Sequence, residues 1–377
     1  MIARLQLSDL HLGDPRSTLS NPEVADVVTD AVAELSGGEV GKLVVAGDSH
    51  EECVPGEPNK LVEGVADSVG RASEHFFGSL FRKVRVGELV WVPGNHDLSA
   101  WHWYCQSKQM PTVTGYDGVL VPPDDWPWRL FFPGLGAPLR VAYPLYRDRA
   151  PGDDWPMLVT THGHLLDPLV LGWAEPAKYA ALSSIGCSAA SVSREAGEVK
   201  SLRKVAEATL PFVLAMWRRY SERDYAYSNY IMRRLEHPLS CTLQPVSFPP
   251  GELVDAGPYT EGDSAPPGQG LLASLPWLLE VLLLDPELPS PVGSLRRDQR
   301  DETFHRRSCL THGHDHLGTF RDVVSCGVPF AVADSGGWTS EFDGHLPHTH
   351  VLVWKDSGQV VPEPYFIRAR TKSGRLL

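Results

Sequence analysis

Cysteine is scarce in this chain: six in 377 residues (Cys53, Cys105, Cys187, Cys241, Cys309, Cys326), with no C-x-x-C pair. That excludes a disulfide framework or a thiolate zinc site and fits reduced thiols in a cytoplasmic protein. A basic surplus is also missing, because the formal net charge is -13. Indiscriminate nucleic-acid binding needs lysine and arginine in excess, so it is not expected, although a local basic groove stays open. No apolar run is long enough to span a bilayer. The longest, Leu271–Leu284, is broken by Pro276 and Glu280. It reads first as a core or lid helix and leaves peripheral membrane contact open. The opening MIARLQLSDLHLG has no charged leader followed by a long apolar core, so no signal peptide is expected. Neither an internal repeat nor a low-complexity segment is visible.

What is present is an alternation of strand and helix patterns. Arg4–Leu7 reads as a strand. Asn21-Pro22-Glu23 then opens a helix with a capping side chain, a first-turn proline and an acid near the positive dipole end. Val24, Val27, Val28, Ala31, Val32 and Leu35 keep the helical period, and Gly37-Gly38 ends it. Lys42–Ala46 is a second strand, Leu61 to Phe81 a second helix with Val65, Val69, Phe76, Phe77 and Leu80 inward, and Leu89–Val92 a third strand. This β-α-β-α-β order predicts an α/β fold. Further short apolar runs follow at Val119–Val121, Leu130–Phe132, Leu139–Tyr143 and Met157–Thr160. The pattern then changes. Residues 165–307 hold helical stretches, Val199–Leu235 above all, and a Pro/Gly-rich loop near 248–270, and read as an inserted helical cap. Sheet patterns resume at Cys309–Thr311, Phe330–Ala333 and His350–Trp354.

Each strand run ends in a polar cluster. Ligands of open α/β sheets bind at the carboxyl ends of the strands, so these clusters should meet at one edge. They contribute Asp9, His11, Asp48, Asn95, His162, His314 and His316: oxygen and imidazole donors with no sulfur, a set suited to Mn, Fe or Zn. Asp48, on the central strand end, is the natural bridge between two divalent cations. Such a pair polarises a phosphoryl group and generates a bridging hydroxide that attacks phosphorus. His96, next to Asn95, is placed to act as general acid, with Asp97 to orient it. His164 and His312 read as supporting or solvated groups, and His50 is ambiguous.

The ordered set resembles the calcineurin-like metallophosphoesterase superfamily. The motifs are SDLHLGD (Ser8–Asp14), AGD (Ala46–Asp48), GNHD (Gly94–Asp97), THGH (Thr161–His164) and GHDH (Gly313–His316), with ADSGGW (Ala333–Trp338) similar to a loop that follows the last motif in many members. The resemblance covers about residues 1–165 and 305–365. It implies a four-layer α/β/β/α sandwich formed by residues 1–164 and 308–377, with 165–307 as the cap. It implies a first metal held by Asp9, His11, Asp48 and His316, a second held by Asp48, Asn95, His162 and His314, and His96 as the catalytic histidine. His162 rather than His164 is assigned because it directly follows the strand. Glu51 stands where the family usually has the second carboxylate of G-D-x-x-D, and the G-D-x-V-D-R-G run of Ser/Thr protein phosphatases is absent.

The expected activity is hydrolysis of phosphomonoesters or phosphodiesters of small molecules or nucleotides, with two divalent cations, Mn preferred. Specificity should lie in the cap, where arginines such as Arg218, Arg219, Arg296 and Arg297 include candidates for gripping a second phosphate. Three other readings compete with it. SDLHLG with GNHD also resembles the nuclease subunit of double-strand-break repair complexes, against which the acidic charge weighs. DLHLGD with the apolar Leu271–Leu284 resembles the pyrophosphatase that cleaves UDP-diacylglucosamine. A scaffold that has lost catalysis would show degraded ligands, and all seven are in place.

Overall fold

A computed structural model describes residues 2–14, 17–51, 64–149, 157–164, 206–207, 210, 238–245, 254–255, 308–314, 316, 320–325, 328–339, 350–359 and 361–371. The chain is α/β with two mixed sheets. The larger has eight strands in the order β4-β5-β3-β2-β1-β13-β14-β8: β1 (Ile2–Leu7), β2 (Glu39–Val45), β3 (Arg85–Trp91), β4 (Val119–Val121), β5 (Leu139–Val141), β8 (Pro238–Pro245), β13 (His350–Trp354) and β14 (Glu363–Thr371). The smaller has six, in the order β6-β7-β10-β12-β11-β9: β6 (Leu145–Arg149), β7 (Met157–Thr161), β9 (Val254–Asp255), β10 (Ser308–His312), β11 (Phe320–Ser325) and β12 (Val328–Asp334).

Strands β1, β2 and β3 run parallel, as do β7, β10 and β12. Because strand side chains alternate, each central strand of the larger sheet feeds two cores. Leu43, Val45, Leu89, Trp91, Val351 and Val353 pack on one side with helix α1 (Pro22–Ser36) and with Phe76, Phe77 and Leu80. Val44, Val90, Leu352 and Trp354 turn to the other side, where Leu158, Cys309, Ala331 and Ala333 of the smaller sheet meet Leu352 and Trp354. Burial on both faces is why these strands read as unbroken apolar runs rather than alternating ones.

Helix α1 matches its sequence pattern. The Asn21 side chain accepts the Glu23 N–H, and Gly37 closes the helix at φ 62°. The second helical span becomes α2 (Gly64–Ser73), a π turn (Glu74–Gly78) and α3 (Ser79–Lys83), with Val69, Phe76, Phe77 and Leu80 buried. Two elements differ from the sequence pattern. The run Leu130–Phe132 is not a strand, because Trp128 and Phe131 are both buried one helical turn apart and form α5 (Trp128–Phe131). Helix α4 (Leu98–Lys108) starts right after the GNHD motif and was not anticipated, although Trp101, Tyr104 and Cys105 have the spacing of a buried helix face.

Two strands fall inside the span expected to be a helical cap. β8 pairs antiparallel with β14, and β9 pairs with β11. The helical stretch Val199–Leu235 beyond 206–207 and 210, the loop near 248–270 beyond 254–255, the apolar run Leu271–Leu284 and the cap arginines lie outside the described residues. No helix among the described residues is long and apolar enough to cross a membrane.

Candidate metal centre

The sequence clusters do meet. Asp9 and His11 follow β1, Asp48 follows β2, Asn95 and His96 follow β3, His162 follows β7, and His314 and His316 follow β10. Backbone hydrogen bonds tie these ends together: Asp9 N to Gly47 O at 3.0 Å, His11 N to Asp48 O at 2.8 Å, and Gly313 N to His162 O at 3.0 Å. The side chains of Asp9, Asp48 and His162 are essentially fully buried.

The backbone is strained where the donors sit. Six described non-glycine residues have positive φ, and five of them are Asp9 (51°), His11 (45°), Asp48 (46°), His314 (75°) and His316 (57°). The left-handed region costs a non-glycine residue roughly 1–3 kcal/mol, and such strain concentrates at functional sites. Two motif glycines are needed for close approach: a side chain at Gly94 would overlap the Asp48 carboxylate, and one at Gly313 the Asp9 carboxylate.

Among the described residues, four groups have ligand atoms within 4.8 Å of one another: Asp9, His11 and His316; His11, Asp48 and His96; Asp48, His162 and His314; and His11, Asp14 and Glu51. The first and third fall within the two donor sets expected from the sequence. Asp48 Oδ2 joins them, at 3.2 Å from His162 Nε2 and 3.7 Å from His11 Nε2. Asp9 Oδ1 is 3.3 Å from His316 Nε2. Asn95 enters through Oδ1, 2.9 Å from His162 Nε2.

The donor chemistry fits cations. The outer nitrogen of each of three rings is anchored to an oxygen: His162 Nδ1 to Ala46 O at 3.1 Å, His11 Nδ1 to Glu51 at 3.2 Å, and His316 Nδ1 to Thr339 Oγ1 at 3.0 Å. With Nδ1 turned to these outer oxygens, Nε2 is the atom that faces inward, as in metal-bound histidine. His11 Nε2 faces His316 Nε2 at 3.3 Å, and His162 Nε2 faces the Asn95 and Asp48 oxygens. Such a cluster calls for positive charge, from a proton or a cation. In the metal-free protein a proton supplies it at His162: burial would lower the pKa, yet Asp48 and Asp9 raise it to about 10, and a bound cation would displace that proton. Burial works against ionised Asp48 too, but His162 and His96 hold its pKa well below the usual carboxylate range. These buried His/Asp groups could hold a metal ion.

His96 stands beside both sets, with Nε2 3.9 Å from Asp48 Oδ2 and its backbone N–H donating to Asp48 Oδ1 at 2.8 Å. Asp97 does not orient it. The Asp97 carboxylate instead accepts the Gly94 N–H (2.6 Å), the Ser49 N–H (2.7 Å) and the Ser49 hydroxyl (2.7 Å), so it fastens the GNHD turn to the loop after β2. Burial, reinforced by Asp48, pushes Asp97 up to about 6. The group that reaches His96 is Glu51, whose Oε2 is 2.8 Å from His96 Nδ1 and also 3.2 Å from His11 Nδ1. Burial would raise the Glu51 pKa, but His96 and His11 outweigh it and lower it.

Three other buried histidines are placed, among them His312, whose Nδ1 lies 2.8 Å from Gly313 O. His50 stacks on Phe131 (ring centroids 4.1 Å apart) and reaches Phe131 O at 3.1 Å through Nε2, and burial lowers its pKa to about 3, so it is a neutral packing residue. His164 lies next to His162 (5.3 Å between rings) and bonds Tyr143 OH at 3.1 Å through Nε2, outside both donor sets. Sequence reasoning missed Thr339, just past the ADSGGW stretch. Its position in that loop, one of whose amides (Trp338 N) donates to Asp9 O at 3.2 Å, was the available signal. Compared with models of protein families and with curated proteins, the chain finds no match.

Proposed function

We propose that the chain is a phosphoric ester hydrolase that works with two divalent cations, in the manner of the calcineurin-like metallophosphoesterases its motifs resemble. The observation that carries this reading is the pair of donor sets joined at Asp48, each drawing ligands from both sheets. Asp9, His11, Asp48 and His316 would hold one cation, and Asp48, Asn95, His162 and His314 the other. Oxygen and imidazole donors without sulfur suit Mn, Fe or Zn, and Mn is preferred. When bound, such cations supply Lewis-acid polarisation of a phosphoryl oxygen and an acidified water.

The protein's own residues supply the rest. The Nδ1–H of His96 is held by the Glu51 carboxylate, so a second proton on Nε2 faces the site, ready for the leaving-group oxygen. Asp97 keeps that turn in place through Ser49 and Gly94. Burial of the cluster excludes bulk water, which strengthens every charge interaction within it. The proposal includes a four-layer α/β/β/α sandwich built by residues 1–164 and 308–377, with 165–307 as an insertion that sets specificity for a phosphorylated small molecule or nucleotide. The acidic balance disfavours nucleic acid.

Release of nitrophenol from mono- and bis-nitrophenyl phosphate, with added Mn(II), is the test. Turnover of either ester, abolished by chelation, is expected, and the preferred ester separates monoesterase from diesterase. A metal-replete protein inert toward both would overturn the proposal.

A further inference from the structure

The face of the larger sheet that meets the smaller one is polar on β1 and again at Lys42 of β2 and Glu88 of β3, where Lys42 Nζ donates to Asp148 at 2.7 Å and to Tyr146 OH at 3.0 Å on the smaller sheet. The part nearest the donors is carried by β1. There Arg4 and Gln6 take the inward positions, 4 % and 0 % exposed. Gln6 Oε1 accepts from Arg4 Nη2 at 3.2 Å on its own strand, and from Thr311 Oγ1 at 2.8 Å across the seam, where Thr160 Oγ1 also lies 3.4 Å away. Thr160 and Thr311 lie 2.8 Å apart, so with Thr311 donating to Gln6 the Thr160 hydroxyl donates to Thr311 and makes only the longer contact with Gln6, while Arg4 Nη2 donates to Thr160 Oγ1 at 2.5 Å. The arginine is held further by Asp148 at 3.3 Å and lies over the Trp354 ring at 4.6 Å.

Burying such groups is costly unless they are bonded, and apolar residues would fill the same space without that penalty. The network buys registry. Gln6 precedes Asp9 by three residues, Thr160 precedes His162 by two, and Thr311 precedes His314 by three. At about 3.3 Å per residue the network lies roughly two or three residues' rise beneath the donors. Both donor sets straddle the seam: Asp9 and His11 of one sheet with His316 of the other, and Asp48 with His162 and His314. An apolar seam can slide by small steps. Directional hydrogen bonds to one shared acceptor cannot, and a sub-ångström slip would spoil cation geometry.

We infer that the buried Arg4–Gln6–Thr160–Thr311 network is a positioning element, which locks the two sheets in the register that brings the cation donors together. The inference rests on the metal reading above. The test is titration of the full chain with Mn(II) against a fluorescent chelator, alongside far-UV circular dichroism and thermal unfolding. Gln6→Leu removes the shared acceptor and should weaken Mn(II) binding by about tenfold or more with the secondary structure kept. Gln6→Glu keeps the acceptor, gains charge complementarity with Arg4, and should bind close to wild type. Thr311→Val, which preserves shape, should weaken binding in the same direction and decides the matter should Gln6→Leu not fold. Val28→Ala, in the α1 core away from the seam, should lower Tm without changing Mn(II) affinity. Wild-type affinity in both Gln6→Leu and Thr311→Val would overturn the positioning role while sparing the metal site. So would equal weakening in Val28→Ala at a matched loss of Tm. Absence of Mn(II) binding by the wild type would instead sink the metal reading, and the positioning role with it.

Discussion

The carboxylate of Glu51 spans two imidazoles, one from a donor residue and one from the proposed acid, so its effect should differ from that of either ring. His96→Ala removes the proposed proton donor; His96 also forms a metal-capable group with His11 and Asp48, but the seven proposed ligands stay in place, so turnover should fall about 100-fold or more while metal content is unchanged. Glu51→Gln keeps the shape but loses the charge that holds both Nδ1 atoms, so the rate should fall and the affinity for the cation near His11 should also weaken, by about tenfold. Steady-state rates together with metal analysis of the two variants check this. Loss of metal from His96→Ala equal to that from Glu51→Gln would remove the distinction. That these side chains would meet was legible in the sequence, because each stands after an apolar run and ligands gather at strand ends. The partner of His96 was harder to read. Asp97 is its sequence neighbour, but the left-handed turns at Asp9, His11 and Asp48 bring Glu51 to the ring, and Asp97 turns away to Ser49 and Gly94. Spacing along a chain says little about which way side chains leave a loop so strongly turned.

Among the elements, α1 was the easiest to foresee, because its cap, its periodicity and its closing glycine all agree. Asn21→Ala should lower stability by about 1 kcal/mol through loss of the bond to Glu23 N–H, read as a shift in the denaturant midpoint, with no effect on metal affinity. A coupled change in metal binding would place α1 closer to the site's energetics than its position on the outer face of the sheet suggests. The central strands were equally plain, since burial on both faces gives continuous apolar runs. The short elements were not. α5 is a single turn whose residues, Trp128 to Phe131, carry no periodicity until Trp91 and Tyr104 are placed against them. β8 lies far in sequence from β14, and nothing local signals that pairing.

At the scale of the whole molecule, the two sheets bring buried carboxylates and imidazoles together, and pH should act on that assembly in a definite direction. The folded pKa of His162, about 10, lies above its unfolded value near 6.5. In the metal-free protein the charged ring therefore contributes stability that is complete below about pH 6.5 and is lost as pH rises toward 10. A cation must displace that proton, so affinity for Mn(II) should strengthen with rising pH across this window, by up to about tenfold per unit. Thermal unfolding with and without Mn(II) from pH 6.5 upward reads both trends. A metal-free protein whose stability is flat with pH would contradict the charge state assigned to His162.

The seven candidate donors span residues 9 to 316, and their convergence is the physical basis of everything proposed for function. Elemental analysis of the purified chain after equilibration with Mn(II) and removal of free ion tests it most directly. About two ions per chain are expected for the wild type, and Asp48→Asn, which weakens the group common to both sets, should retain far fewer. A wild-type chain that retains none, or an Asp48→Asn variant that retains as many as the wild type, would contradict the shared two-cation site.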